Sequence, residues 1–273
     1  MFTKASPLRA ALALSALAAG QPLTAAPAQD QLMLVFNTPS SSRLAPYTHW
    51  YDIIHAPDIM SVPEFESAQR AQAITSPADP GLVAPRPFMM RYRLHSDDLA
   101  RTFAAIPKGD PAHPAPIARD GYALSFDARS VERPGRGPLV LHRAAAVHHY
   151  DLYILGDAAN GREDAYTHWL DNVQIPQILR RPGVVGAQRF VRSDVQRDRT
   201  GPSPRHLVVY RIATNRIDRV MADLAADRLG GDAAHGVDES TMVRFLYIRT
   251  GPLIERTHRT AAHPPQQRGG TGN

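Results

Sequence analysis

Hydrophobic and polar residues alternate in short stretches along most of the chain, and the same order of stretches occurs twice. Alternating or wholly apolar runs predict strands, whereas apolar residues three or four positions apart predict helices. In the first half, strand, helix, strand, strand, helix and strand are predicted at 32–36, 47–60, 65–73, 88–94, 97–106 and 122–126. In the second half, the same order is predicted at 152–155, 166–179, 184–191, 207–212, 216–224 and 242–248.

The two halves also share sequence. Residues 47–70 align without gaps on residues 166–189 with 11 identities in 24 positions, and both segments begin Tyr-Thr-His-Trp. Ordinary composition gives roughly one or two such identities by chance. The chain therefore contains a duplication of one βαββαβ unit, which is the ferredoxin-like arrangement. We predict an α+β protein of two tandem ferredoxin-like modules whose sheets pack together within one chain.

Composition divides the chain further. Lys4 and Arg9, an apolar run at 10–20 and the small residues at 26–28 are typical of a cleavable secretory signal, and a retained anchor is the alternative. The predicted organisation is a signal peptide at 1–28, repeat 1 at 29–133, a linker at 134–147, repeat 2 at 148–256 and a disordered tail at 257–273. The mature protein is thus expected to be periplasmic or secreted, without a stable membrane anchor.

Charge and motifs exclude several classes of function. The pI is about 9.7, but the net charge is only +5 and the arginines are scattered, so we predict no nucleic-acid partner. The chain has no cysteine, which excludes disulfides and thiolate chemistry. It has no nucleotide-binding glycine motif, no nucleophile elbow and no metal-ligand spacing, so no metal is predicted.

The candidate chemistry comes from a difference between the repeats. His55-Ala56-Pro57 in repeat 1 corresponds to Gln174-Ile175-Pro176 in repeat 2, so the titratable group occurs once. A histidine at a helix C-terminus is favoured in its protonated form. Asp52 lies three residues earlier on the same predicted helix face. We predict His55 and Asp52 as a catalytic acid/base pair; a surface ion pair, or a histidine that caps free carbonyls, is the structural alternative.

Four further residues are candidate substrate contacts: Trp50, Arg70, Tyr92 and His49. An inward-facing arginine on a strand can bind a carboxylate with both nitrogens. Each of the four is also present in repeat 2, as Trp169, Arg189, Tyr210 and His168, which equally favours a role in the shared fold. For Arg70 and His49 the structural interpretation is the preferred one.

The segment from Trp50 to Pro57, followed by Val-Pro-Glu-Phe at 62–65 and Ser-Ala-Gln-Arg at 67–70, resembles the dimeric α/β-barrel superfamily, and within it the EthD-type proteins. The resemblance covers both repeats. It implies a barrel of two four-stranded sheets with helices outside, here formed within one chain. It also implies a small-molecule ligand, and further oligomerisation is compatible with it.

The activity that the resemblance implies is acid/base chemistry without a cofactor on a small apolar or aromatic molecule, of the isomerase, decarboxylase or monooxygenase type. The superfamily also includes haem enzymes, so a haem-dependent peroxidase-like or dehydratase-like enzyme is an alternative, with histidine as the axial ligand. A non-catalytic periplasmic binding protein is a further alternative. A fold alone does not decide between these functions.

Overall fold

The computed structural model describes residues 27–40, 44–109, 114–141, 145–198, 203–227, 229 and 231–256. The predicted signal peptide, up to residue 26, and the predicted tail lie outside the described residues. In the described part, none of the helices combines the length and apolar content that crossing a bilayer requires.

The strands agree in order with those predicted from the sequence, with one short addition in the linker. The described residues form β1 (Gln29–Asn37), β2 (Phe65–Ile74), β3 (Phe88–Ser96), β4 (Tyr122–Ala128), β5 (Arg133–Pro134), β6 (His148–Ala158), β7 (Val184–Arg192), β8 (His206–Thr214) and β9 (Val237–Glu255).

The two long predicted helices are each interrupted by a π-helical turn. In repeat 1, α1 (Leu44–His49) continues through a π-helical segment (Trp50–His55) into α2 (Ala56–Met60), and α3 (Leu99–Ala104) follows later. In repeat 2, α4 (Glu163–Trp169) continues through a second π-helical segment (Leu170–Gln174) into α5 (Ile175–Ile178), and α6 (Ile217–Ala225) follows. A π-helical segment in both repeats indicates that it belongs to the duplicated unit.

The strands form one closed antiparallel barrel. Repeat 1 has the order β4-β1-β3-β2 and repeat 2 the order β9-β6-β8-β7. The two sheets are joined edge to edge twice, by β2 with β9 and by β4 with β7. Each repeat thus pairs its second strand with the fourth strand of the other. The predicted pair of ferredoxin-like modules forming an intramolecular α/β barrel is confirmed.

Strand alternation divides the core into three parts. The inside of the barrel is filled by large side chains, among them Phe36, Phe126, Tyr153, Phe245 and Tyr247. The outer face of each sheet is covered by the helices of its own repeat, in one apolar cluster per repeat. The interior of the barrel is therefore packed, and Val35 and Phe36, at the end of β1, belong to the outer and the inner cluster respectively.

Candidate functional site

The π-helical turn of repeat 1 brings Trp50 and His55 into contact. The backbone N–H of Ala56 donates to the carbonyl oxygen of Tyr51, a bond between residues five apart. Side chains five apart therefore lie over one another, and the rings of Trp50 and His55 stack at 4.3 Å between centroids and 10° between planes. Pro57 has no N–H, so it cannot make the bond that an α-helix would require of it here. The stacked pair is a direct result of the wider turn.

A cavity of about 830 Å³ opens beside this pair. Its walls come from the end of β1, the π-helical segment, the chain between α3 and β4, and the chain after β7. Much of the lining is apolar or aromatic, and includes Val35, Phe36, Trp50, Phe103, Ile106 and Tyr122. Such a lining, with a few polar groups that converge on it, is typical of a small-molecule site.

Three buried polar side chains support one wall of the cavity. The Asn37 side-chain N–H donates to the Tyr51 hydroxyl at 2.9 Å, and the Tyr47 hydroxyl donates to the Asn37 carbonyl oxygen at 2.6 Å. Burial raises the pKa of Tyr51, so its hydroxyl stays protonated at neutral pH. Tyr51 lines the cavity, and its hydroxyl accepts from Asn37 and donates to no acceptor among the described residues.

Repeat 2 contributes a cation to this site in repeat 1. The chain leaving β7 runs along β4, where the Asp198 carboxylate accepts the Ala123 N–H at 2.8 Å. The Gln196 side chain also accepts from the N–H of Ser125 at 2.9 Å and donates to its carbonyl oxygen at 2.8 Å. These bonds hold Arg197 in the cavity wall. The site is complete only when both repeats are present.

His55 is neutral at this position. Burial, with the positive charge of Arg197 as a second cause, lowers the pKa of His55 to about 4, and Asp58 opposes the shift. The sequence expectation that the helix end favours the protonated form is therefore wrong. The helix does not end at His55, because α2 continues to Met60, so the imidazole does not face the negative end of a helix dipole. Neutral imidazole is the form that can accept a proton or ligate a metal.

Asp52 has a different partner from the one expected. Both of its carboxylate oxygens accept from Arg70, at 3.0 and 2.9 Å, and Arg70 also donates to Thr250. The expectation that Asp52 orients His55 assumed α-helical spacing, which the π-helical turn replaces. Asp171 and Arg189 form the same two-bond pair in repeat 2, at 2.8 Å each. The pair joins the long helix to the second strand in both repeats.

Of the residues predicted to form the site, Trp50 and His55 line the cavity, and Asp52, Arg70, Tyr92 and His49 do not. Arg70 faces the helix rather than the barrel interior. His49 is exposed. Tyr92 is buried under the helix, edge-on to Phe65 at 5.5 Å, and its hydroxyl has no hydrogen-bond partner among the described residues.

The equivalent place in repeat 2 is filled by its own residues. Trp169 stacks on His235 at 4.7 Å between centroids. Gly231, at φ +87°, also lies against the Trp169 ring. A Cβ at position 231 would come within 2.6 Å of a carbon of that ring. Gln174, the counterpart of His55, is 4% exposed. The open cavity thus belongs to the repeat that keeps the histidine.

Sequence reasoning missed Tyr51, Asn37 and Arg197. Tyr51 could have been found from the sequence, because the alignment that places Gln174 opposite His55 also places Leu170 opposite Tyr51. Arg197 lies in a segment with no strand or helix pattern, and its place depends on side-chain bonds to the other repeat.

A further cluster of residues far apart in sequence lies at the surface. Asp30, Glu66 and His95 bring three potential metal-ligand atoms within 4.8 Å of one another, and His95 is paired with Asp30 there.

The comparisons with known proteins agree with this fold. No protein-family model matches the chain, and no curated protein is significantly similar to it. Among solved structures, it is similar to an anthrone oxidase-like protein, with 10% identity and a TM-score of 0.50 over 86% of this chain and 97% of that one.

A monooxygenase-like protein from Fusobacterium nucleatum has 9% identity and a TM-score of 0.47 over 85% of this chain and 99% of that one. A variant of chlorite dismutase from Candidatus Nitrospira defluvii has 11% identity and a TM-score of 0.41 over 84% and 93%. The likeness to the anthrone oxidase-like protein agrees with the barrel of two ferredoxin-like modules described above. Identities this low show the fold alone, and the EthD-type resemblance stays a prediction.

Proposed function

We propose that this protein is an exported, EthD-type enzyme that binds a small apolar or aromatic molecule in the repeat 1 cavity and removes a proton from it with His55. The observation that carries the proposal is the neutral imidazole of His55, stacked on Trp50 in the wall of a cavity with an aromatic lining. The imidazole is in its proton-accepting form at neutral pH, although its low pKa makes it a weak base, so the developing anion has to be stabilised by other groups of the site.

The neighbouring groups suit the charge that such a step creates. Removing a proton next to a carbonyl, or from a phenol, leaves negative charge on an oxygen. The Tyr51 hydroxyl can donate to that oxygen and Arg197 can neutralise it. A general base typically contributes about 10²–10⁴ in rate, and one donor to an oxyanion about 10²–10³.

Proton transfer of this kind begins isomerisations, and it also begins oxidations by O₂ of molecules that form a stabilised carbanion. The proton moves from the substrate carbon or oxygen to His55, and the electron pair remains on the substrate. Arg197 disfavours the imidazolium that forms, which weakens His55 as a base and favours the later transfer of the proton to product or solvent. His55 is thus the catalytic residue, while Tyr51 and Arg197 stabilise the anion.

A haem-dependent enzyme is the second candidate, and the neutral state of His55 favours it too. An axial ligand has to be a neutral imidazole, and the cavity wall also carries cations that can pair with propionates. His55 would hold the iron, and the haem would supply redox chemistry that the side chains lack. Haem added to the purified protein would then show the shifted and sharpened Soret band of a histidine-ligated haem, and with His55→Gln the spectrum would stay that of free haem.

The leading proposal is tested with anthrone, an aromatic carbon acid whose deprotonation gives a phenolate. In deuterated buffer we expect the wild-type protein to speed deuterium uptake at the acidic methylene, measured by mass spectrometry, and His55→Gln to lower the rate at least 100-fold. His168→Gln, the same change at an exposed position of repeat 2, is the control and is expected to keep the full rate. Equal rates for wild type and His55→Gln would overturn the proposal. Binding without exchange would favour a non-catalytic carrier.

A further inference from the structure

The rim of the repeat 1 cavity has a surplus of positive charge. Three cationic side chains line it: Lys108, Arg119 and Arg197. The one carboxylate among the lining residues is Asp198, and it already accepts a backbone N–H from β4. None of the three cations forms an ion pair with another described residue. A second carboxylate, that of Asp58, lies near enough to His55 to raise its pKa.

These cations stand above an apolar and aromatic floor. Lys108 and Arg119 both belong to the chain between α3 and β4, and both are exposed, whereas Phe36, Ile106 and Tyr122 lie deeper. Arg119 is not occupied by the acid beside it, since Asp120 pairs with Arg86 at 2.9 Å. A ligand that satisfies both regions has a ring body for the floor and an anion for the rim.

The counterpart in repeat 2 lacks this arrangement. Its chain between α6 and β9 covers 226–236, against 105–121 in repeat 1. Its described residues place Gly231 and His235 on Trp169. The described part of the longer chain of repeat 1 thus lines much of the cavity and supplies two of its three cations, Lys108 and Arg119. A chain segment that both lines a cavity and places two cations at its entrance is most simply explained by a ligand that binds there.

We propose that the natural substrate is an aromatic acid whose carboxylate, or an equivalent permanent anion, is bound by Lys108 and Arg119 while its ring lies against the floor beside His55. The inference rests on the proposed function and names its substrate class. Lys108 and Arg119 are positioning residues, since the reacting atoms lie with His55, Tyr51 and Arg197. Positive potential at the rim also speeds the arrival of an anion.

The test compares two ligands of the same shape, 2-naphthoate and 2-naphthamide. Binding is followed by quenching of Trp50 fluorescence in a Trp169→Phe background, because these are the two tryptophans of the chain. We expect the naphthoate to bind at least tenfold more tightly at low salt, and added salt to remove most of that preference. In the double variant Lys108→Gln/Arg119→Gln, naphthamide affinity should be unchanged and the preference lost.

Equal affinities for the two ligands, or a preference that survives the double variant, would overturn the inference. Both results leave the proposed function standing if deuterium uptake by neutral anthrone still depends on His55. Conversely, a strong naphthoate preference together with a rate that does not depend on His55 would support the anionic ligand and refute the catalytic role. The matched double variant Arg180→Gln/Arg219→Gln on repeat 2 has the same change of charge and should keep the preference.

Discussion

Three aligned positions separate the repeat that has the cavity from the repeat that does not. Asn37, Tyr51 and His55 correspond to Gly156, Leu170 and Gln174, so a polar support, a hydroxyl donor and a base are all missing from repeat 2. The strand registers place Asn37 opposite Phe88 and Gly156 opposite His206, which confirms the first correspondence. The differences lie at one place, as expected if one half retained chemistry and the other retained the fold.

The pKa of His55 gives a pH dependence with a definite sign. Its pKa is lowered to about 4, first by burial and then by Arg197, so the base form persists until the pH falls to about 4. In the Trp169→Phe background, protonated His55 should quench Trp50, with a midpoint near pH 4. Arg197→Gln removes a positive charge, so the midpoint should move upward toward 6.5. A midpoint near 6.5 with Arg197 present would contradict a half-buried, neutral His55, and His55→Gln should show no transition.

The two arginine–aspartate pairs offer a matched test of stability. Asp52→Asn leaves Arg70, at 8% side-chain exposure, without its counter-charge, and we expect the free energy of unfolding to fall by about 2–3 kcal/mol. Asp171→Asn should cost less, about 1–2 kcal/mol, because Asp171 is 35% exposed. Urea unfolding followed by circular dichroism measures both. A loss of proton transfer in folded Asp52→Asn protein, at unchanged ligand affinity, would show instead that Asp52 acts on the chemistry.

At the scale of elements, hydrophobic periodicity and the internal repeat were sufficient to predict the order of the strands and helices and two packed modules, whereas the barrel was implied by the family resemblance. The same periodicity cannot distinguish an α-helical from a π-helical turn. One extra residue in the turn changes which side chains share a helix face, but it leaves the pattern of apolar and polar residues almost unchanged. The predicted contact between Asp52 and His55 failed for that reason. The chains at 105–109, 114–121 and 193–198 carry no pattern. Residues 114–121 are bonded to the chain that follows β1, as by the Ala118 N–H to the Thr38 carbonyl oxygen, and 193–198 is bonded to β4 of the other repeat.

The π-helical turn of repeat 1 should be required for ligand binding but not for folding. Deleting Ile53, which is 63% exposed, should close the segment to α-helical spacing and separate the rings of Trp50 and His55. We expect the melting temperature to stay within a few degrees and the quenching by 2-naphthamide to disappear. Deleting Val173, 47% exposed in the π-helical segment of repeat 2, is the control and should leave ligand binding intact. Retained binding after the Ile53 deletion would show that the stacked pair is not needed.

At the scale of the whole molecule, fusion of the repeats covers the open sheet edges and allows the two halves to differ. Each half alone has two open sheet edges, and each edge is covered by the other half through β2 with β9 and β4 with β7. Open edges favour aggregation. Fusion also makes the halves unequal, so that repeat 2 can lose a site and still supply Arg197 to the site of repeat 1. Two identical subunits cannot diverge in this way.

Because repeat 1 holds the cavity and repeat 2 supplies Arg197 and the strand partners, we can predict how the protein behaves when it is divided into its two repeats. Residues 29–141 expressed alone should aggregate or self-associate, because the edges of β2 and β4 lack their partners. Co-expression with residues 145–256 should give a soluble one-to-one complex that binds 2-naphthoate, as measured by size-exclusion chromatography and Trp50 quenching. With Arg197→Gln in the second piece, the complex should still form, while the pKa of His55 in the first piece rises. If the first piece alone were monomeric and bound the ligand as the full chain does, the second repeat would have no part in the site, and the duplication would serve stability only.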